Sequence, residues 1–154
     1  MKILVMSDSH RIVEPMISAA LKEQPDSVVY CGDGINDFKK FRTQFPELES
    51  YAVRGNCDFK SKEFPDTLTV DLAGVRVFIT HGHLYRAKFY TDPVIYAAEE
   101  AGAQLLLFGH THIPWHAVVR NVRILNPGSI NDGKYGIVEI DGGKITAYNR
   151  RLNR

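Results

Sequence analysis

Cysteine is scarce in this chain. Its two thiols, Cys31 and Cys57, form no CxxC pair among 154 residues. That argues against a disulfide scaffold and leaves both expected as reduced thiols. Long apolar runs are missing too. The N-terminus carries one charged residue, then ILVM, then SDSH, which is too short for a signal-peptide apolar region. No run nears the ~20 residues of a transmembrane helix, so a cytoplasmic protein without a membrane partner is expected. Neither sign of charge is in excess: 19 Lys and Arg face 18 Asp and Glu, for a net charge of +1. This balance gives no electrostatic case for a nucleic-acid partner or an anionic membrane. A GxSxG elbow and a P-loop are absent as well, which removes two common sources of nucleophile and phosphate cradle. No linker, repeat or low-complexity stretch divides the sequence. Its length suits one domain, residues 1–154, with a core large enough to stand alone.

What is present is a series of short apolar runs. KILVM, SVVY, YAV, VRVFI and QLLLF have the length and composition of strands in a covered sheet. Strands are expected at about residues 2–7, 27–31 and 49–53, joined by helices over 13–24, with Pro15 in the first turn, and 35–45. On the first helix Ile17, Ala20 and Leu21 share a face; on the second Phe38, Phe41 and Phe45 do. Residues 67–72 and 75–80 flank Ala73-Gly74, a tight-hairpin signal. Pro93 opens a third helix ending near Gly102, and 104–108 reads as a strand. Short strands are then expected at 115–120, 123–125, 135–140 and 144–149, with a hairpin turn at Asp141-Gly142-Gly143. The front half is βαβαβ and the back half mostly antiparallel, an α/β architecture with a layered β core flanked by helices.

Seven side chains able to bind a metal stand directly behind those runs. They are Asp8 and His10 in SDSH, Asp33 in CGDG, Asn56 in RGNCD, His81 in THGH, and His110 and His112 in FGHTH. In an open α/β sheet, ligands bind beyond the carboxyl ends of the strands. The two-residue spacing in Asp8-x-His10 and in His110-x-His112 places each pair on one side of an extended end. Carboxylates are hard donors that can bridge two cations. Imidazole suits Zn, Fe, Mn, Ni or Co, and the Asn carbonyl is a neutral oxygen donor. A set without thiolate argues against a structural zinc finger. Seven donors exceed the needs of one tetrahedral ion and match two ions sharing a carboxylate. Gly32-Asp33-Gly34 or Gly55-Asn56 alone would read as an ordinary turn. All five motifs, each behind an apolar run, point instead to a metal site spread over the chain.

Asp8-x-His10, Gly32-Asp33, Gly55-Asn56, His81-Gly82-His83 and Gly109-His110-x-His112 resemble the motifs of the calcineurin-like metallophosphoesterases. More narrowly, SDSH, CGD, VRGNCD, THGH, GHTH and NPGS resemble those of the small YfcE-type phosphodiesterases, from Met1 to about Gly128. The resemblance implies a four-layered α/β/β/α sandwich. It implies a first cation held by Asp8, His10, Asp33 and His112, and a second held by Asp33, Asn56, His81 and His110, with Asp33 bridging. The implied reaction is hydrolysis of small phosphodiesters by attack of a metal-bridging hydroxide on phosphorus, with Asp33, Asn56 and His81 as catalytic residues. Mn is the expected metal, with Fe, Zn, Ni or Co as alternatives. The partner is a small phosphoester, and homo-oligomers are common among relatives. One position departs from the pattern. Many relatives carry His after the Asn, in GNHE or GNHD; here Cys57 stands there, followed by Asp58. A thiol with a pKa near ~8.5 is a poorer acid–base group than imidazole, so modest rates or a need for a good leaving group are expected. Cys57 itself reads as a small buried filler.

Further residues have two readings each. His83 is a partner of the ligands or a loop cap. Arg11 forks to a substrate phosphate or is a solvated surface residue. Asn126-Pro127-Gly128-Ser129 reads slightly better as a plain turn than as a loop supporting the site. Leu84–Asp92 is a substrate rim, a packed loop or an oligomer contact. Trp115 is expected to pack, and His116 has no identifiable partner. Two other functions suit the same fold. One is a non-catalytic protein-interaction scaffold, the role of a eukaryotic retromer subunit of this fold. Its equivalent of the Asp8–His10 pair is incomplete, whereas this chain keeps all seven donors. The other is a phosphomonoesterase or nuclease on the same metals. The sequence has no obvious capping domain or basic stripe for it.

Overall fold

The structure is a computed structural model and describes residues 1–153. In chain order its elements are β1 (Lys2–Met6), α1 (Glu14–Glu23), β2 (Ser27–Tyr30), α2 (Ile35–Gln44), β3 (Glu49–Ala52), β4 (Thr67–Leu72), β5 (Val75–Thr80), α3 (Asp92–Glu100), β6 (Leu105–Leu107), β7 (Trp115–Val119), β8 (Val122–Asn126), β9 (Lys134–Asp141) and β10 (Lys144–Arg151). The strands form two five-stranded sheets, ordered β10-β9-β1-β2-β3 and β4-β5-β6-β8-β7.

Alternation along the strands decides the layering. Ile3 and Val5 of β1 enter a core shared with the second sheet. Leu4 and Met6 point the other way, under helices, as the two-residue period of a strand requires. The second sheet behaves alike: Val77 and Ile79 face the shared core, whereas Phe78 and Leu106 meet α3 through Val94, Ile95 and Ala98. Met16 and Ala19 of α1 and Phe38 and Phe41 of α2 cover the outer face of the first sheet. The result is the expected four-layered α/β/β/α sandwich. One detail differs. β6 lies parallel to both β5 and β8, so the back half is more mixed than expected. Leu105, Leu106 and Leu107 are all buried, as suits a strand covered on both faces.

The five apolar runs do not share one sheet. β1, β2 and β3 run parallel in the first, with Met6, Tyr30 and Ala52 in register at their carboxyl ends. β5 and β6 run parallel in the second, with Ile79 opposite Leu107. The hairpins follow expectation: Ala73 and Gly74 (φ 49° and 83°), like Gly142 and Gly143 (φ 55° and 84°), supply the two positive φ values of a type I′ turn. Among the described residues no helix is long and apolar enough to cross a membrane.

α1 buries a face rotated from the one its apolar residues suggest, with Ala20 inward and Ile17 at its edge but Leu21 outside. Met16, Ala19, Ala20 and Glu23 turn inward, and Leu21 is 64% exposed. The reason is Glu23. Its carboxylate accepts the Tyr135 hydroxyl at 2.7 Å and pairs with Lys2 Nζ at 2.9 Å, which makes an acidic residue tolerable on the inner face. Burial raises its pKa, but the Tyr135 and Lys2 contacts outweigh it and hold the carboxyl below its ordinary value. A depressed carboxyl stabilises the fold above the unfolded value near ~4.3 and loses that contribution as pH falls through the folded value. We therefore expect Glu23→Ala to cost about 1–3 kcal/mol in denaturant unfolding at neutral pH. The deficit should shrink below about pH 4. An equal deficit at both pH values would show that packing alone is at work.

Candidate metal centre

The loops behind these strands are tied to one another in sequence. Asp8 N–H donates to the Gly32 carbonyl at 2.9 Å and His10 N–H to the Asp33 carbonyl at 3.3 Å, joining the β1 and β2 loops. Asp33 Oδ1 accepts the Cys57 N–H at 2.8 Å, joining the β2 and β3 loops. Gly109 N–H donates to the His81 carbonyl at 3.0 Å, joining the β5 and β6 loops. At this edge bonds also cross between the sheets, from His110 N–H to Asp8 Oδ2 at 3.1 Å and from His81 Nδ1 to the Cys31 carbonyl at 2.7 Å. The latter makes Nδ1 a protonated nitrogen, because a carbonyl only accepts. In the neutral ring Nε2 is then the nitrogen with a lone pair to offer a cation.

Five of the seven predicted ligands sit at positive φ: Asp8 (59°), His10 (45°), Asp33 (61°), His110 (70°) and His112 (62°). Asp, Asn and His tolerate this region better than most residues, yet it remains uncommon outside glycine. Such strain, of order 1–3 kcal/mol per residue, persists where the surroundings enforce it, and it clusters at functional sites. Here it curls the chain so that side chains two apart converge. Glycines keep the loops close: a Cβ on Gly55 would collide with Asp33 Oδ1, and one on Gly109 with Ser7 Oγ.

The donors form two trios, Asp8 with His10 and His112, and Asp33 with His81 and His110, each with its donor atoms within 4.8 Å of one another. In the first, His10 Nε2 and His112 Nε2 lie 3.3 Å apart, and Asp8 Oδ1 is 3.6 Å from the former and 3.2 Å from the latter. In the second, His81 Nε2 is 3.3 Å from Asp33 Oδ2 and 3.1 Å from His110 Nδ1. Asp33 also lies with His10 and Cys57 in a third such group, so it faces both trios. Asn56 is less engaged. It is exposed at the head of a short 3-10 turn, with its side-chain amide 3.7 Å from Cys57 Sγ.

The electrostatics suit a cation. Asp8 Oδ1 is fully buried yet accepts no well-directed hydrogen bond, an anionic atom left for something else to satisfy. Burial opposes charge on Asp33, but His81 and the Cys57 N–H prevail and hold its carboxyl well below the usual range. Burial likewise opposes protonation of His81, while Asp33 and Asp8 raise its pKa. His112 is raised by its contact with the Asp8 carboxylate. His110 is pushed down to about 4 by burial and by His81, so at neutral pH it is a ready ligand. Cation binding to His81 and His112 displaces protons and strengthens as pH rises.

A family model described as the calcineurin-like phosphoesterase superfamily domain matches residues 1–143. The chain belongs to the calcineurin-like phosphoesterase superfamily. It is 39% identical over 133 residues to the probable metallophosphoesterase YsnB of Bacillus subtilis, covering 84% of this chain and 75% of that protein. It is 30% identical over 146 residues to the phosphodiesterase MJ0936 of Methanocaldococcus jannaschii, covering 83% of each. Its fold superposes on that of Vps29 from Chaetomium thermophilum with a TM-score of 0.82 at 18% identity, covering 99% of this chain and 88% of that one.

Several residues of this phosphoesterase escaped the sequence reading. Asp58 accepts four backbone N–H groups, from Asp33 (2.7 Å), Gly34 (3.0 Å), Ile35 (3.1 Å) and Gly55 (2.8 Å). One carboxylate thus clamps the loops of Asp33 and Asn56 together at the start of α2. Asp37, buried on α2, accepts Ser9 Oγ at 2.6 Å and the Arg11 N–H at 2.8 Å. Tyr30 donates to the Asp33 carbonyl at 3.0 Å. The signal for Asp58 was its place next to the ligand-bearing turn. For Asp37 there was none, because its partners Ser9 and Arg11 are distant in sequence.

Four expectations need correction or completion. Cys57 is exposed, not a buried filler, because the 3-10 turn directs it to the site's mouth. NPGS is more than a turn: Asn126 Nδ2 donates to the Gly109 carbonyl at 3.0 Å and Ser129 Oγ to the Asp8 carbonyl at 2.8 Å, so it props two ligand loops. His83 turns the loop through its backbone and packs beside His81, but its buried Nδ1 has no hydrogen-bond partner. Its carbonyl accepts the Arg86 N–H, and its ring centre lies 5.4 Å from that of His81. His116 finds a partner in Asn149, at 3.0 Å. Trp115 packs edge-on to Phe108 as expected. The 84–92 segment divides, with Ala87 packed inward and Phe89 77% exposed. Arg11 is exposed beside the centre.

Asp58 touches none of the donor atoms, so its removal tests positioning. Asp58→Ala is expected to weaken Mn2+ binding by about 10–100-fold, the usual effect of losing an outer support, as read by calorimetry. Unchanged affinity would remove the clamp from the account.

Proposed function

We propose that this chain is a binuclear metal-dependent phosphodiesterase of small diesters, carried by a single domain spanning residues 1–154. The observation that supports it most is Asp33 facing both donor trios. On this reading Asp8, His10, Asp33 and His112 hold one cation, and Asp33, Asn56, His81 and His110 the other. The donors are oxygen and nitrogen, which suits Mn2+ best and admits Fe, Zn, Ni or Co. When bound, the pair of cations acidifies water for attack on phosphorus and neutralises developing charge on the phosphate.

The chain's own residues do the rest. The Cys31 carbonyl holds His81 in one tautomer and one orientation. Asp33 stays ionised, held by His81 and the Cys57 N–H. An open cleft of about 440 Å³, lined by His10, Arg11, Asn36 and Cys57 among others, leads to the centre and suits a small substrate. Arg11 stands at its edge, where its guanidinium can fork to a phosphate oxygen. Cys57 stands where many relatives carry a His after the Asn, so the imidazole that would protonate the leaving group is replaced by a poorer acid–base group. A reducing cytoplasmic setting fits its two free thiols. The scaffold reading has the Vps29 likeness behind it, but at 18% identity that speaks to the fold alone. The unsatisfied Asp8 oxygen favours the metal reading.

Metal-free protein reconstituted with Mn2+ is expected to release a chromogenic alcohol from an artificial diester. Asp33→Ala and His112→Ala should lose more than about 100-fold of that rate, beyond what outer supports cost. Full activity in either variant, or after chelation, contradicts the proposal, and a clear preference for monoesters overturns the substrate class. Cys57→His should raise kcat/KM for diesters with poor leaving groups by up to about 100-fold and flatten its dependence on leaving-group pKa. An unchanged slope would mean that leaving-group protonation is not what the site lacks.

A further inference from the structure

Cys57 is a donor that the two-cation assignment leaves unused. Its Sγ, a ring nitrogen of His10 and a carboxylate oxygen of Asp33 lie within 4.8 Å of one another, a spread that one cation can span once its ligands close around it. The side chain is exposed, so rotation about one bond re-aims the thiol without disturbing packing. Asp8 points the same way: its Oδ1 is buried and unsatisfied, 3.6 Å from the His10 Nε2 of this group. A buried anionic oxygen without a hydrogen bond therefore sits beside the thiol's neighbour His10. Thiolate is a soft donor that favours Zn2+ and the still softer Cd2+, whereas Mn2+ and Mg2+ prefer oxygen.

We propose that Cys57 is a conditional metal ligand: a thiophilic divalent cation recruits it to join His10 and Asp33 at the first position, and Mn2+ leaves it a free thiol. The inference rests on the binuclear reading of the site. On coordination the sulfur lone pair forms the bond to the cation and the S–H proton passes to solvent, with no change of oxidation state. Catalytic sites keep one coordination position open for water, and structural sites close it. Cys57 closes it, so Zn2+ is held more tightly than Mn2+ and used less well.

The test titrates Cd2+ into the metal-free full chain and follows thiolate-to-metal charge transfer in the near ultraviolet. Wild type is expected to develop the band as the first equivalent binds, Cys31→Ser to retain it, and Cys57→Ser to lack it. Zn2+ affinity should fall roughly tenfold or more in Cys57→Ser, at least the scale of an outer-partner loss, while Mn2+ affinity stays the same. Stoichiometric Cd2+ binding without the band, or a band that survives in Cys57→Ser, overturns the proposal and leaves the binuclear reading intact. Failure of every cation to bind overturns both.

Discussion

The contact between His81 and the first sheet is the constraint on which the site depends. His81 ends a strand of the second sheet, and its ring is held from both sides by the first. Nδ1 meets the Cys31 carbonyl at 2.7 Å, and Nε2 meets Asp33 at 3.3 Å. Burial makes the arrangement rigid: His81 is fully enclosed and Asp33 nearly so. A sandwich held only by its apolar core fixes the spacing of its sheets more firmly than their slide along one another. The imidazole supplies the missing restraint at the edge where the loops meet. The His110 N–H to Asp8 bond repeats it on the neighbouring loops. With the sheets pinned there, Asp8, His10, Asp33, His81, His110 and His112, from four separate loops, converge in two trios.

Pinning costs stability. Five strained ligand residues, a buried carboxylate oxygen without a hydrogen bond and crowded imidazoles all oppose folding in the absence of cations. The surrounding sheets offset that cost through cores in which most side chains are buried. Asp58 is the economical part of the design. It satisfies four backbone N–H groups and so positions two ligand loops without entering the site. A bound cation would satisfy the orphan carboxylate oxygen and the crowded imidazoles, so cation binding and folding stability are coupled.

The fold and the convergence of six of the seven candidate donors were legible in the sequence for the same reason. Strands of four to six residues with ligands at their ends declare both the sheet and its carboxyl edge, so β1, β2 and β5 fall where their apolar runs predict. What stayed hidden depended on pairing between distant residues. The inner face of α1 was misread because Glu23 looks like a surface residue until Tyr135 and Lys2 are brought to it. The parallel placement of β6 is set by its neighbours rather than by its own three leucines. The role of Asp58 arises only when the β2 and β3 loops meet, and those of Asp37 and Tyr30 only when Ser9 of the β1 loop is brought to them. Exposure of Cys57 follows from a 3-10 turn that no local propensity signals.

The most direct test of the central claim is anomalous diffraction from crystals soaked in Mn2+. The account predicts two ions bridged by Asp33, one also held by Asp8, His10 and His112 and the other by Asn56, His81 and His110. A single ion, or two ions neither of which touches Asp33, would contradict it.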